Sequence, residues 1–319
     1  MDRSRRVTRL EALGLTRRQR DADVWERPYR GIRRPASLDP ADPDVRIADA
    51  LGAMEPGAVL TGWAGARLHG VLAFEGRHRD AMQAVTVVSR AGQQRSRPGL
   101  QVSRRVLHDH EVEEVEGARV ASLARCAYDM ALEARSLGEA VEVLDACCST
   151  VTAGSRTTPS RIRSVLESHA KTRGIATIRR ALPLVSTRSA SPLESSTRLV
   201  AVQDAGYQDV RVNEAVFDLD GRLLGIADLL DAERGIVVET DGDDHASRSR
   251  RTRDNRRQED MTRAGLVTVR VTADDHRERR RLAARLARIR REAVPKGTPG
   301  WTLERPPWWW TWAPGRRWD

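Results

Sequence analysis

The chain is predicted to be an α/β protein, and three observations carry that prediction. Its last third reads in the order helix, three strands, helix, strand, helix, the pattern of a small sheet covered by helices. Its 319 residues, 39% hydrophobic and 31% charged, supply a real core and exclude wholesale disorder. Nowhere do 18 apolar residues follow one another, and the N-terminus opens with Arg and Asp instead of a basic stretch and an apolar run, so a soluble, cytoplasmic chain is expected. At roughly 100–200 residues per domain, the length holds two or three folded units.

Residues 1–35 read as a short, arginine-rich, winged-helix-like segment. Leu10, Leu13 and Leu15 mark a short helix, Thr16 caps a second, and Trp25, Tyr29 and Ile32 follow in a more extended stretch with Gly31 as a turn. Residues 36–44 are a Pro/Asp linker, and 45–188 an α+β middle domain. That domain opens on a helix around Val45–Leu51. Residues 58–71 read as a second helix from their Ala and Leu content, with Thr61 as cap and Trp63, Leu68 and His69 packed together. Strands are expected at 84–89 and 101–107, then two or three helices from Ser122 to Leu182, before Pro183. His108 and His110, two apart on one side of any strand, are a possible metal pair with no third ligand nearby in sequence. Cys126, Cys147 and Cys148 make no disulfide framework and no metal-ligand spacing, so they read as core thiols of a reducing compartment.

The character changes at Ser191, which caps a helix with Pro192 at its first position and Glu194 at its third. Residues 209–221 offer a strand and an Asp-Gly turn, 222–231 a second strand and 235–242 a third. A charged helix then runs to Gly265, residues 266–272 form a short strand, and 275–292 a basic helix with Leu282, Leu286 and Ile289 as one apolar stripe. The domain is placed at 190–292. Residues 293–319 hold six of the eight tryptophans, and Pro306, Pro307 and Pro314 oppose regular structure, so an extended arm is expected. Its rings can stack on exposed bases, dock in a groove of this chain or of a second copy, or belong to a mobile extension.

The informative residues sit on the second and third of those strands. If these pair as an antiparallel hairpin through the turn near Glu233–Gly235, Asp228 and Glu239 come close across the ladder, while Glu239 and Asp241 share a face. Three carboxylates aimed at one spot repel each other without a cation, so Asp228, Glu239 and Asp241 are expected to bind Mg²⁺ or Mn²⁺. Such an ion lowers the pKa of bound water and polarises a phosphodiester. Gly242 permits close approach to a phosphate, and His245 serves as a proton shuttle or phosphate ligand. Arg248, Arg250, Arg253 and Arg257 follow on the helix as phosphate contacts, with Asp254 among them, and Arg198 joins them from the preceding helix. Glu239–Gly242 taken alone also fits an ordinary turn. The net charge of +10 favours a polyanionic partner. Nearly all the positive charge is Arg, with Lys only at Lys171 and Lys296, a bias that a GC-rich genome also produces.

Residues 191–275, through SPLESSTR, IADLLD, VVETDGDDH, the Arg and Asp pattern of 250–257 and AGLVTVRVTADD, resemble the actinobacterial form of the DUF559 group. These are Vsr-like nuclease domains of the PD-(D/E)xK superfamily. The resemblance implies a restriction-endonuclease-like core, with Glu194, Asp228, Glu239, Asp241 and His245 at the catalytic positions and duplex DNA as partner. One departure is chemical: Asp241 replaces the superfamily lysine, so no ammonium is available there to position water or offset transition-state charge. The front, LGLTRRQRDADVWERPYRGIRRP and LGAMEPGAVLTGWAGARLHGV, is similar to a shortened form of the start of AbiEi-like antitoxins, which implies DNA contact or a regulatory module. Two functions follow: a metal-dependent DNA endonuclease, in repair or phage defence, and a non-enzymatic DNA-binding or antitoxin-like regulator on an inactive nuclease fold. A third, partner binding or self-association, rests on the tryptophan tail.

Overall fold

The computed structural model describes residues 5–6, 14, 16–20, 23–78, 81–90, 92–154, 156–241, 248–293 and 298–311, with backbone alone for 5–6, 20 and 248–255. Two compact units result, Met1–Glu133 with Gly154–Ile175, and Ala134–Ala153 with Ala176–Asp319. The division does not follow the expected sequence boundary near 189, because residues 134–153 belong with the C-terminal unit.

In the first unit, α1 (Pro43–Ala53) starts at Asp42, whose side chain accepts from the Asp44 and Val45 amides. Residues 58–71, expected as one helix, are strand β1 (Val59–Thr61) followed by α2 (Gly62–Leu68). The run is too short for its period to separate strand from helix, and Leu60, fully buried, lies mid-sheet. Thr61 stands at the N-cap of α2 as expected but makes no side-chain cap bond; its hydroxyl donates to Asp129 Oδ2 at 2.7 Å. Trp63 and Leu68 share the core as expected, while His69 Nε2 lies 2.9 Å from the Ala121 carbonyl. Strands β2 (Val85–Val88), β3 (Leu100–Ser103), β4 (Val112–Val115) and β5 (Ala118–Ala121) complete a sheet in the order β3-β2-β1-β5-β4. Its β2–β3 and β1–β5 pairs are parallel and the other two antiparallel. Helix α3 (Leu123–Glu133) follows. At the front, Arg5–Arg6, Ile32–Pro35 and Trp25–Glu26 pair antiparallel, Gly31 turns at φ 80°, and Arg17–Arg20 is a single helical turn. Leu10, Leu13 and Leu15 lie outside the described residues.

The second unit begins with α4 (Leu137–Cys148), which packs on α5 (Pro192–Leu199). Strands β6 (Val210–Asp218), β7 (Leu223–Asp231) and β8 (Ile236–Asp241) form an antiparallel meander. Helix α6 (Arg248–Arg263) crosses to β9 (Val267–Thr272), parallel to β8, and α7 (Arg279–Glu292) closes the layer. On one face Val216, Leu224, Ala227, Leu230 and Val237 pack with Met261 of α6 and Leu266. On the other, Val212, Leu229, Ile236, Val238 and Val271 pack with Val200, Tyr207 and the Leu282 and Leu286 stripe of α7. The chain is therefore an α/β protein with mixed sheets flanked by helices.

Besides the register shift between Val216 and Phe217, strand alternation breaks at a second level of this sheet. Ala227 and Leu229, two apart, belong to opposite faces, as do Val212 and Val216, four apart. The breaks fall at Asp228 and Asn213, which stand opposite one another between the pairs Val212↔Leu229 and Glu214↔Ala227. Asn213 has φ 48°, the left-handed region that Asn tolerates better than most residues.

The C-terminal arm is docked instead of simply extended. Strand β10 (Trp301–Thr302) adds to the free edge of β6, and Trp309 is fully buried against Ala215 and Phe217. Trp312, Pro314 and Trp318 lie outside the described residues. All three cysteines are free and buried, and among the described residues no helix is long and apolar enough to cross a membrane.

Candidate functional site

At the broken level of the second sheet Asp228 lies within electrostatic reach of Glu194 on one side and Glu239 on the other. Glu194 is the third residue of α5, where its amide donates to Ser191 Oγ at 3.2 Å. The capping box reaches one residue further back than expected, since Glu194 Oε2 accepts from the Ala190 amide at 2.8 Å. The same oxygen accepts from Asn213 Nδ2 at 2.6 Å, so the left-handed Asn fixes the glutamate. Asp228 lies one rung past the last β7–β8 pair, Leu229↔Val238. Its Oδ2 accepts from the amide and hydroxyl of Thr240 at 2.6 and 2.7 Å, standing in for the backbone carbonyl that a continued ladder would supply. Glu239 has one oxygen, Oε2, bonded by Arg257 of α6, while its buried Oε1 has no hydrogen-bond partner among the described residues.

These groups share one electrostatic environment. Burial, and next the negative charge of Asp228, push Glu194 up to about 7 against the bonds from Ala190, Asn213 and Ser191. Burial likewise pushes Glu239 up to about 7; the Arg257 cation pulls it down and Asp228 pushes it further up. Asp228 is itself raised by burial, with the Thr240 bonds and Arg257 opposing. The arrangement is a buried, charge-stressed set of oxygens held by one guanidinium.

The other expected site residues are placed differently. Asp241 does not join the set: its side chain is 54% exposed at the strand end, 3.7 Å from Arg270. Asp241 is still paired with Thr272 of β9, and Glu194, not Asp241, is the further carboxylate that feels the charge of Asp228. Arg198 faces inward, 11% exposed and bonded to Asp145 of α4 at 2.8 Å, and is not a surface phosphate contact. Arg257 serves Glu239 before any phosphate. Arg248, Arg250 and Arg253 lie on α6 with side chains outside the described residues, as do Gly242 and His245 entirely. Asn213 and Thr240 were not anticipated; an Asn within an otherwise β-forming run was the one available signal.

A second constellation lies in the first unit. His108, Glu111 and His169 offer ligand atoms all within 4.8 Å of one another, a buried cluster capable of coordinating a metal ion. The expected pair is corrected: a further ligand does stand nearby in sequence, Glu111, three positions from His108, and distant His169 completes the group, whereas His110 stacks on His108 at 5.5 Å. Arg125 Nη1 already lies 2.8 Å from Glu111 Oε2 and 2.9 Å from His169 Nε2. That nitrogen is also 2.9 Å from Glu111 Oε1; a lone pair would serve the guanidinium and a proton the carboxylate, and it can provide one of these. Burial would raise Glu111, yet the His108 amide, Arg125 and His169 hold it below the usual carboxylate range. An incoming metal ion therefore competes with an internal cation.

No family model, no curated protein and no solved structure matches the chain.

Proposed function

We propose that the second unit is a restriction-endonuclease-like domain acting as a metal-dependent DNA endonuclease, in the setting of repair or phage defence. The single observation that carries this reading is the buried Glu239, whose Oε1 has no hydrogen-bond partner among the described residues and whose carboxyl, like that of Glu194, is pushed up to about 7 by burial and by the charge of Asp228. Helix, three-stranded meander, helix and parallel strand, in that order, also agree with the family resemblance of residues 191–275.

The donor chemistry suits a hard divalent cation: carboxylate oxygens, one without a partner, in a site where negative charge is penalised. Asp228 and Glu239 would hold Mg²⁺ or Mn²⁺, which supplies Lewis-acid polarisation and an acidified water when bound. The protein's own parts are then definite. Asn213 and the Ala190 amide orient Glu194, Thr240 orients Asp228, and Arg257 neutralises one oxygen of Glu239. With Asp241 in place of lysine, Arg257 is the described cation bonded to the site, and a guanidinium offers charge without proton exchange.

The test is cleavage of labelled single-stranded, duplex and mismatched DNA with Mg²⁺, Mn²⁺ or EDTA, beside Asp228→Ala and Glu239→Ala. Metal-dependent product from the wild type and none from the variants is expected. Wild-type rates in both variants would refute the assignment. The Arg257 bond also favours a second reading, a DNA-binding regulator whose site is neutralised internally. Shifted DNA bands with no product from any substrate and no metal binding would select it.

A further inference from the structure

At one end of the first sheet the chain forms a cleft of about 640 Å³, well apart in sequence from the carboxylates. The topology makes it. Parallel β2 and β3 end there at Val88 and Ser103, while β1 begins there at Val59, so the segments after β2 and β3 meet the turn before β1. Four arginines line the cleft, Arg90, Arg104, Arg105 and Arg119, against one carboxylate, Asp109.

Two of the arginines are committed to the fold. Arg104 donates to the Ser89, Arg90 and Gln94 carbonyls and straps the two segments together. Arg105 pairs with Glu133 at 3.2 Å and lies 3.8 Å from Asp129. Arg90 and Arg119 are exposed, and among the described residues neither guanidinium has a hydrogen bond or ion pair. Glu114 stands opposite Arg119 across the β4–β5 ladder without forming an ion pair with it. The remaining wall mixes polar Ser89 and Gln93 with apolar side chains, among them Val106, 65% exposed, Leu107 and Val112. Exposed apolar side chains beside two uncommitted guanidiniums suit a ligand with a ring at one end and phosphate at the other.

We infer that this cleft binds a nucleoside phosphate, with Arg90 and Arg119 on the phosphate and Val106 and Leu107 against the base. The ligand is a free nucleotide or one unit of a nucleic-acid strand. The site is independent of the carboxylate set, so its outcome and that of the nuclease assay are separable.

The test is fluorescence anisotropy of mant-ATP with the full chain, with ATP, adenosine, tripolyphosphate and a short oligothymidylate as competitors. Saturable binding is expected, weakened about tenfold or more in Arg90→Glu/Arg119→Glu and unchanged in Asp228→Asn. Thermal melting of the double variant at the wild-type temperature shows that the fold persists. ATP competing at lower concentration than the oligonucleotide identifies a free nucleotide, and the reverse a strand; both uphold the site. No saturable binding, a folded double variant that binds like the wild type, adenosine competing as well as ATP, or tripolyphosphate competing as well as ATP would overturn it.

Discussion

Replacing Glu239 by Gln should stabilise the metal-free protein at alkaline pH and do little at acid pH. The wild-type carboxyl is raised from 4.5 to about 7 in the fold, chiefly by burial. Between those values the unfolded chain releases a proton that the folded chain retains, so stability falls as pH rises through the window and stays low above it. At one pKa unit per 1.36 kcal/mol, the rise corresponds to about 3 kcal/mol of destabilisation once both states are ionised. The side chain is 14% exposed, so little of this is screened by solvent. Gln keeps the shape, removes the charge and sacrifices the Arg257 ion pair. Urea denaturation of both proteins in EDTA at pH 5 and pH 8 reads the effect, because titrating groups that do not feel the Glu239 charge cancel in the difference. The variant should gain about 2–3 kcal/mol relative to wild type on going from pH 5 to pH 8. Mn²⁺ should narrow the gap at pH 8 by stabilising the wild type. A variant less stable than wild type at pH 8 would mean that Arg257 outweighs burial, and the charge-stressed site would be refuted.

Asn213→Ala loses the bonds to Glu194 Oε2 and the Arg188 carbonyl and puts Ala at φ 48°, so thermal or urea unfolding should show a loss of about 2–4 kcal/mol. Asn213→Gly should recover the backbone share of that loss and leave the rest. Trp309→Ala empties a fully buried site against Phe217 and should cost about 3–5 kcal/mol by the same measurement, whereas exposed Trp310→Ala should cost under about 1 kcal/mol. Glu111→Ala strips a carboxylate from Arg125, whose side chain is 1% exposed, and should destabilise by about 3–5 kcal/mol in urea unfolding.

How much of this was readable from sequence differs between the two units. In the second, each element carries its own punctuation: Ser191 and Pro192 open α5, Gly221 turns at φ 80°, Gly265 ends α6 at φ 90°, and alternation marks the strands. The hairpin that predicts Asp228 opposite Glu239 is present, but its ladder ends at Leu229↔Val238, one rung short of them. In the first, the Ala58–Thr61 run is a central strand because β2 and β5 flank it, a tertiary fact that a short apolar segment does not encode. The His169 partner of His108 was equally invisible, since it lies 61 positions further along the chain. For the arm, docking in a groove of this chain is one of three readings that the sequence leaves open. Prolines exclude a central strand, but two residues at Trp301–Thr302 suffice at an edge, and the burial of Trp309 supplies the rest.

The slip at Asn213 and Asp228 explains why the carboxylates meet where they do. Regular alternation and a continued ladder would place Asp228 and Glu239 side by side on one face and leave Glu194 outside their reach. Because alternation fails at that level, Asp228 turns into the ladder gap and Thr240 holds it there, while the amide of Asn213 draws Glu194 in from α5. Asp241, still paired with Thr272, turns its side chain to the exposed side beside Arg270. The irregular rung therefore ties Glu194 to Asp228 through a left-handed residue and a side chain in the place of a backbone acceptor. A strand that tolerates both in its buried middle is shaped by the charge it holds as much as by the core it covers.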